Sequence, residues 1–166
     1  MTGWIVERAD PGEAGPLALL RAHLDLMHAV TPPGSVHALD LDALRGPGLR
    51  FLALRERHGD GPARTIGIGA LKVGVPGPAS GEPAHGEIKS MHTREADRGR
   101  GVARAMLRHL LDEARAAGLA RVSLETGSSD HFAAPRALYA AHGFVACGPF
   151  GAYAPDPHSH FMTRAL

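Results

Sequence analysis

The sequence predicts an α/β fold, a mixed and mostly antiparallel central sheet with helices on both faces. Three observations lead there: two strand-like runs joined by a polar turn in the first half, strands alternating with helices in the second half, and one strongly amphipathic helix that follows a glycine-rich turn. Trp4 to Glu7 reads as the first strand, and Pro11 and Gly12 break the chain after it. Leu17, Leu20, Leu24 and Met27 then share one face of a helix. Thr31, Pro32, Pro33 and Gly34 end it, and Ser35 is placed to cap a second, short helix with Val36, Leu39 and Leu44 near one side. Phe51 to Arg55 and Thr65 to Val73, separated by the turn His58 to Pro62, read as an antiparallel hairpin. A Gly/Pro-rich turn, Pro76 to Pro83, leads to a central strand over Gly86 to Thr93. Val102 to Ala117 gives the clearest helical period, with Val102, Met106, Leu110 and Ala114 at steps of four and Gly118 placed to stop it. Leu119 to Thr126, Phe144 to Cys147 and His160 to Arg164 read as strands, and Ala133 to Ala141 as a helix.

Composition narrows the classes of function. The chain has 166 residues, 44% of them hydrophobic, which fits one domain over residues 1–166; two separate cores would each fall near the lower size limit for stability. Eighteen Lys and Arg against 17 Asp and Glu leave a formal charge of +1, so no general attraction to nucleic acid or to a membrane surface is expected. Met1 to Val6 lacks a basic region followed by an apolar run, and no apolar stretch approaches the roughly 20 residues that cross a bilayer. A cytoplasmic location is the expectation. Cys147, the only cysteine, leaves no intrachain disulfide and no thiolate cluster for zinc. The eleven histidines are scattered, His158 and His160 forming the one close pair and no HExxH pattern occurring, so no metal is expected.

The chemistry concentrates between the central strand and the amphipathic helix. Arg98, Gly99, Arg100, Gly101, Val102 and Ala103 open that helix, whose first turn carries unpaired N–H groups and partial positive charge. The glycines permit close backbone approach and the two arginines add charge, which together suit a pyrophosphate. The run lacks the Gly-Lys-Ser/Thr ending of a Walker loop and the spacing of a dinucleotide fingerprint.

This run resembles the diphosphate motif of the GNAT superfamily of acyl-CoA N-acetyltransferases: Gln or Arg, two residues, Gly, one residue, then Gly or Ala, matched by Arg98, Gly101 and Ala103. A second family motif, an aromatic-ended helix followed by Gly-Phe, resembles Ala137, Leu138 and Tyr139 followed by Gly143 and Phe144. The resemblance covers Gly86 to Phe144, and the segments Ser35 to Leu44 and Phe161 to Leu166 are similar to a bacterial branch of the family. It implies a GNAT-like sheet and acetyl-CoA as co-substrate without a metal. It further implies transfer of acetyl to a primary amine by direct attack in a ternary complex; the residues of the acceptor region suit an amine, an amino acid or a peptide terminus, and a small-molecule acceptor is expected ahead of a protein. The sheet should open as a V between the strands at 86–93 and 119–126, a splay of the kind a bulge sets. Pantetheine would pair with the first strand around Met91, His92 and Thr93. One departure is plain: many members carry Asn where this chain has Phe132, and Pro135 follows. That departure motivates the alternative of a non-catalytic acyl-CoA-binding or sensing domain.

On the same resemblance, Tyr139 is the candidate to give a hydrogen bond or a proton to the departing sulfur. A phenol of pKa about 10 facing a thiolate of about 8.5 gives up its proton at a cost of about 2 kcal/mol. Glu125 and Glu87, on the two strands flanking the opening, are the candidate bases, with Glu125 preferred and Glu87 able to pair with Lys89 instead. His92, His131 and His37 titrate nearer neutrality and are alternatives. The acceptor is expected between Pro32 to His37 and Gly127 to His131, with His37 and His131 as candidate contacts. Cys147 has no part in a direct-attack reaction and reads as a small hydrophobe. Exposed sheet edges and the short final strand could pair two copies as a homodimer.

Overall fold

The computed structural model describes residues 2–76 and 81–166; within the expected turn Pro76 to Pro83, residues 77–80 lie outside them. The strands are β1 (Thr2–Arg8), β2 (Leu49–His58), β3 (Arg64–Val75), β4 (His85–Thr93), β5 (Arg121–Gly127), β6 (Val145–Cys147) and β7 (Ser159–Ala165). The helices are α1 (Ala14–Val30), α2 (Leu41–Leu44), α3 (Val102–Ala116) and α4 (Ala133–Ala141), with single 3-10 turns at Glu95–Asp97 and Asp130–Phe132. One sheet runs β1-β2-β3-β4-β5-β7-β6. Every neighbouring pair is antiparallel except β4 with β5, as expected of a mixed, mostly antiparallel sheet.

Alternation along the strands splits the interior into two main cores, with a smaller cluster of Val75, Phe150 and Phe161 beside them. Phe51, Ile68 and Ala70 pack with Leu19 and Leu20 of α1 and Leu44 of α2. Leu52, Leu54 and Leu71 face the other way, onto Met106, Leu107 and Leu110 of α3 and Tyr139 of α4. The α3 face carries the residues its period announced: Val102, Met106, Leu107, Leu110, Leu111 and Ala114 are all buried. Each fully buried leucine there stabilises the fold by about 1.5–3 kcal/mol. The helix sits directly on the backbone of β3. A Cβ at Gly67 would come 2.7 Å from Val102 Cγ1, and one at Gly69 would lie 3.0 Å from Leu110 Cδ1.

The short helix expected to begin at Ser35 forms elsewhere. Residues 35–40 are irregular, and only Leu41–Leu44 is helical. The cause is local: the Asp40 carboxylate accepts the Ala43 N–H at 2.9 Å and starts the helix there, while Pro32, Pro33 and the left-handed Gly34 hold the chain open upstream. The irregular stretch carries Ser35, Val36 and His37 to the wall of the cleft described next.

Candidate active site

β4 and β5 stay paired for only three registers, Gly86 with Val122, Glu87 with Ser123 and Ile88 with Leu124. Beyond Ile88 they part. On its other side β4 changes register against β3 between Ile68 and Ala70, so that Ser90 and Met91 oppose the single residue Gly69. This is a β-bulge, and Ser90 within it takes φ 54°, a left-handed conformation that costs a non-glycine residue roughly 1–2 kcal/mol. The bulge turns β4 away from β5, and Lys89 to Thr93 are left without a strand partner on that side. A cleft of about 630 Å³ fills the opening.

At one end of the cleft lies the start of α3. Gly99 and Gly101 take φ 76° and 88°, which only glycine adopts without strain, and Gly101 is the helix N-cap with no side chain bonded to the first turn. The unpaired N–H groups of that turn stay available to an anion. Arg98, Gly99, Gly101, Val102 and Ala103 line the cleft, as do Met91, His92 and Thr93 of β4. The Arg100 guanidinium is committed elsewhere: it bonds Glu56 and Asp97. Charge at the cleft comes instead from Arg98 and from Arg104, which also lines it. Arg104 lies outside the glycine run read from the sequence, although its place in the first turn of α3 is a usable signal.

Further in, Glu125 and Tyr139 line the same cleft. Burial pushes the Glu125 carboxyl up to about 7, partly offset by the nearby Lys89 ammonium. Burial, with the Glu125 charge beside it, raises the Tyr139 phenol to about 12. The Tyr139 hydroxyl points at Met91 Sδ, 3.8 Å away, so it reaches β4 at the bulge. Glu87 is otherwise engaged, since its Oε1 accepts from Lys89 Nζ at 3.0 Å and from the Tyr153 hydroxyl. Lys89 also donates to Tyr153 at 2.8 Å. Tyr153 could not be placed from the sequence, because it reaches the cleft from the irregular loop between β6 and β7.

The histidines fall into two groups. His92 of β4 meets His23 of α1 edge to face, ring centroids 5.4 Å apart. Burial lowers both to about 4, and each is lowered further by a neighbour, His23 by His92 and His92 by Arg98. Both rings are therefore neutral and weakly basic at pH 7, which disfavours His92 as a base. His37 packs against the Tyr153 ring and His131 against Phe132, and both line the cleft. Phe132 packs on the glycine ending β5: a Cβ at Gly127 would come 2.0 Å from its ring. Cys147 lies half-buried on β6 in the cluster around Phe150 and Phe161. Among the described residues no group of three His, Cys, Asp or Glu could hold a metal ion, and no helix is long and apolar enough to cross a membrane.

The splay between two parallel strands, beside a glycine-started helix, makes a cleft that can hold an extended, anion-bearing cofactor. The sequence agrees, since the model of the acetyltransferase (GNAT) family matches residues 19–144. The chain is 43% identical over 150 residues, 90% of its length and 91% of the relative's, to YsnE of Bacillus subtilis, described as an uncharacterized N-acetyltransferase. It is 42% identical over 135 residues to the IAA acetyltransferase of Azospirillum brasilense, covering 81% and 80% of the two chains. Among solved structures, an acyl-CoA N-acyltransferase candidate from Klebsiella pneumoniae superposes with TM-score 0.72 at 27% identity, covering 98% of this chain and 97% of that one. The protein belongs to the GNAT family of N-acetyltransferases.

Proposed function

We propose that the protein transfers an acetyl group from acetyl-CoA to the primary amine of a small-molecule acceptor, by direct attack within a ternary complex. One observation carries this reading: Glu125 and Tyr139 line the same cleft as the stretch of β4 that the bulge has freed from β5. The cleft fits an extended acyl-CoA arm. The free edge of β4 around Met91, His92 and Thr93 offers backbone donors and acceptors to pantetheine amides. The uncapped turn at Gly101, with Arg98 and Arg104 beside it, suits a diphosphate. Acetyl-CoA supplies the thioester carbonyl, and the protein supplies orientation and proton handling.

Glu125 takes the amine proton. From an alkylammonium of pKa about 10.4, transfer to an ordinary carboxylate of about 4.3 costs about 8 kcal/mol. At the Glu125 value of about 7 that falls to about 5 kcal/mol, and an amine arriving neutral, or a water between the two, lowers it further. Tyr139 holds the departing sulfur by a hydrogen bond. With its phenol raised to about 12, full donation to a thiolate of about 8.5 would cost about 5 kcal/mol, so the proton stays on the phenol. Glu87 stays with Lys89 and Tyr153 as a fixed group of three near Glu125. The acceptor is assigned to the part of the cleft lined by Leu26, Met27, Thr31, Ser35, Val36 and His37, with His131 as a further contact. The relative named for IAA acetylation supports a small-molecule acceptor.

The test is incubation of purified protein with acetyl-CoA and a panel of primary amines, with products read by mass spectrometry. An acetylated amine that fails to form with Glu125→Gln supports the assignment. Saturable binding of acetyl-CoA with no product from any amine would instead favour a non-catalytic acyl-CoA-binding domain, the reading that Phe132 at the usual Asn position motivates.

A further inference from the structure

Arg100 sits between the two left-handed glycines of the loop that opens α3, yet its side chain leaves the cleft. Its Nη2 donates to Glu56 Oε1 at 2.5 Å and its Nη1 to Asp97 Oδ1 at 2.5 Å. Glu56 belongs to β2, 44 residues away, and is fully buried. The same carboxylate accepts from Trp4 Nε1 of β1 at 3.1 Å, from Arg64 Nη2 of β3 at 2.7 Å and from the His58 ring at 3.1 Å. Asp97, 2% exposed, also accepts from Arg94 Nε and lies 3.5 Å from Arg64 Nη2. Two buried carboxylates thus gather Arg64, Arg94 and Arg100, and tie three strands to the segment 94–101.

That segment has little else to fix it. Its backbone bonds are Arg94 N–H to Ile66 O, Asp97 N–H to Arg94 O, Arg98 N–H to Glu95 O and, at its end, Ala105 N–H to Gly101 O. None of these is made by Gly99, Arg100 or Gly101 as donor. Glycine is the residue with most conformational freedom to lose, so two glycines around one arginine would be a loose hinge if that arginine were free. A planar guanidinium held by two carboxylates in fixed directions removes the freedom.

We infer that Glu56 and Asp97, acting through Arg100, are positioning residues that hold the Gly99-Arg100-Gly101 turn in the shape that receives the diphosphate of acetyl-CoA. The inference rests on the acetyl-CoA reading above. Arg100 therefore contributes to cofactor affinity without its side chain touching the cofactor. Trp4, the only tryptophan, reports on the device, because it bonds the same carboxylate and its ring lies 5.7 Å from the Arg100 guanidinium carbon.

The experiment is isothermal titration of the full chain with CoA, for wild type, Glu56→Gln and Arg100→Lys. It is accompanied by Trp4 emission during the titration and by circular dichroism of each variant. Glu56→Gln keeps side-chain length and removes the charge, while Arg100→Lys keeps the charge and removes the planar fork. The expected result is a rise in CoA Kd of ten-fold or more in each folded variant, and a Trp4 emission change on binding in wild type that shrinks in Arg100→Lys. In turnover the loss should appear in the KM for acetyl-CoA and leave the KM for the acceptor within two-fold. If Glu56→Gln does not fold, Arg100→Lys, at a side chain 40% exposed, decides alone. Folded variants that bind CoA as wild type does would overturn the inference and leave the acetyl-CoA reading standing; a wild type that binds no CoA would overturn both.

Discussion

The two ends of the cleft are built in opposite ways. The end at α3 comes from one short stretch of chain, Arg98 to Ala103 with Arg104 next to it, and its chemistry is largely backbone: two left-handed glycines and a helix turn with open N–H groups. The end proposed for the acceptor is assembled from side chains on α1, the irregular residues 31–38, β4, β5 and the loop that carries Tyr153. The groups assigned to the diphosphate are thus contiguous in sequence, although the turn that carries them is tied to Glu56 of β2. Acceptor choice depends on segments far apart in sequence whose meeting only the fold decides, so replacing a residue at one end should change a different kinetic constant from replacing one at the other.

The largest effect is expected at Glu125. Glu125→Gln should lower kcat about 10²–10⁴-fold, the range for loss of a general base, with acetyl-CoA binding by titration little changed. A comparable loss of affinity would merge the two ends and break the contrast. Arg98→Ala combined with Arg104→Ala should raise the acetyl-CoA Kd about ten-fold or more at low salt, and less as salt screens the pair with the diphosphate. Binding that ignores both salt and the substitutions would put the diphosphate elsewhere. Tyr139→Phe should cost about 10–100-fold in kcat, the worth of a hydrogen bond to a developing charge, with little change in either KM. A rate equal to wild type would leave Tyr139 as a core residue packed on Phe144.

The smallest effect concerns stability against pH. His23 and His92 are lowered to about 4 from 6.5. Their protonation therefore favours the unfolded chain, and the stability they contribute is full above about 6.5 and lost as pH falls towards 4. Glu125, raised to about 7 from 4.5, has the opposite sign: stability falls as pH rises from about 4.5 to 7. Thermal melts of His23→Phe should show a shallower loss between pH 6.5 and 4, and melts of Glu125→Gln a gain above pH 7. Slopes unchanged in both variants would mean that neither site is desolvated as described.

The helix α3 and the glycine turn that opens it are legible in the sequence, because α3 carries an unbroken helical period and its entrance is a contiguous run. The misplaced Ser35 helix shows what it hid. Ser35 and Asp40 are both good caps, and the choice between them fell to the Asp40 bond with Ala43 and to the upstream prolines. Arg100 is the other case: composition can supply an arginine beside a phosphate site, but only the 44-residue contact with Glu56 reveals where its charge goes. Tyr153 and the Glu87–Lys89 pair likewise needed the fold, since a loop tyrosine and alternating charges on a strand look the same whether buried or solvated.

The most direct test of the catalytic assignment is kcat/KM for an accepted amine against pH, expressed per neutral amine so that ionisation of the acceptor drops out, for wild type and Glu125→Gln. Wild type should lose activity below a midpoint near 7, the value to which burial raises Glu125, and the limb should vanish in the variant, leaving a low and flat rate. An acid limb that persists in Glu125→Gln at the same midpoint would contradict the assignment and place the base on another group of the cleft.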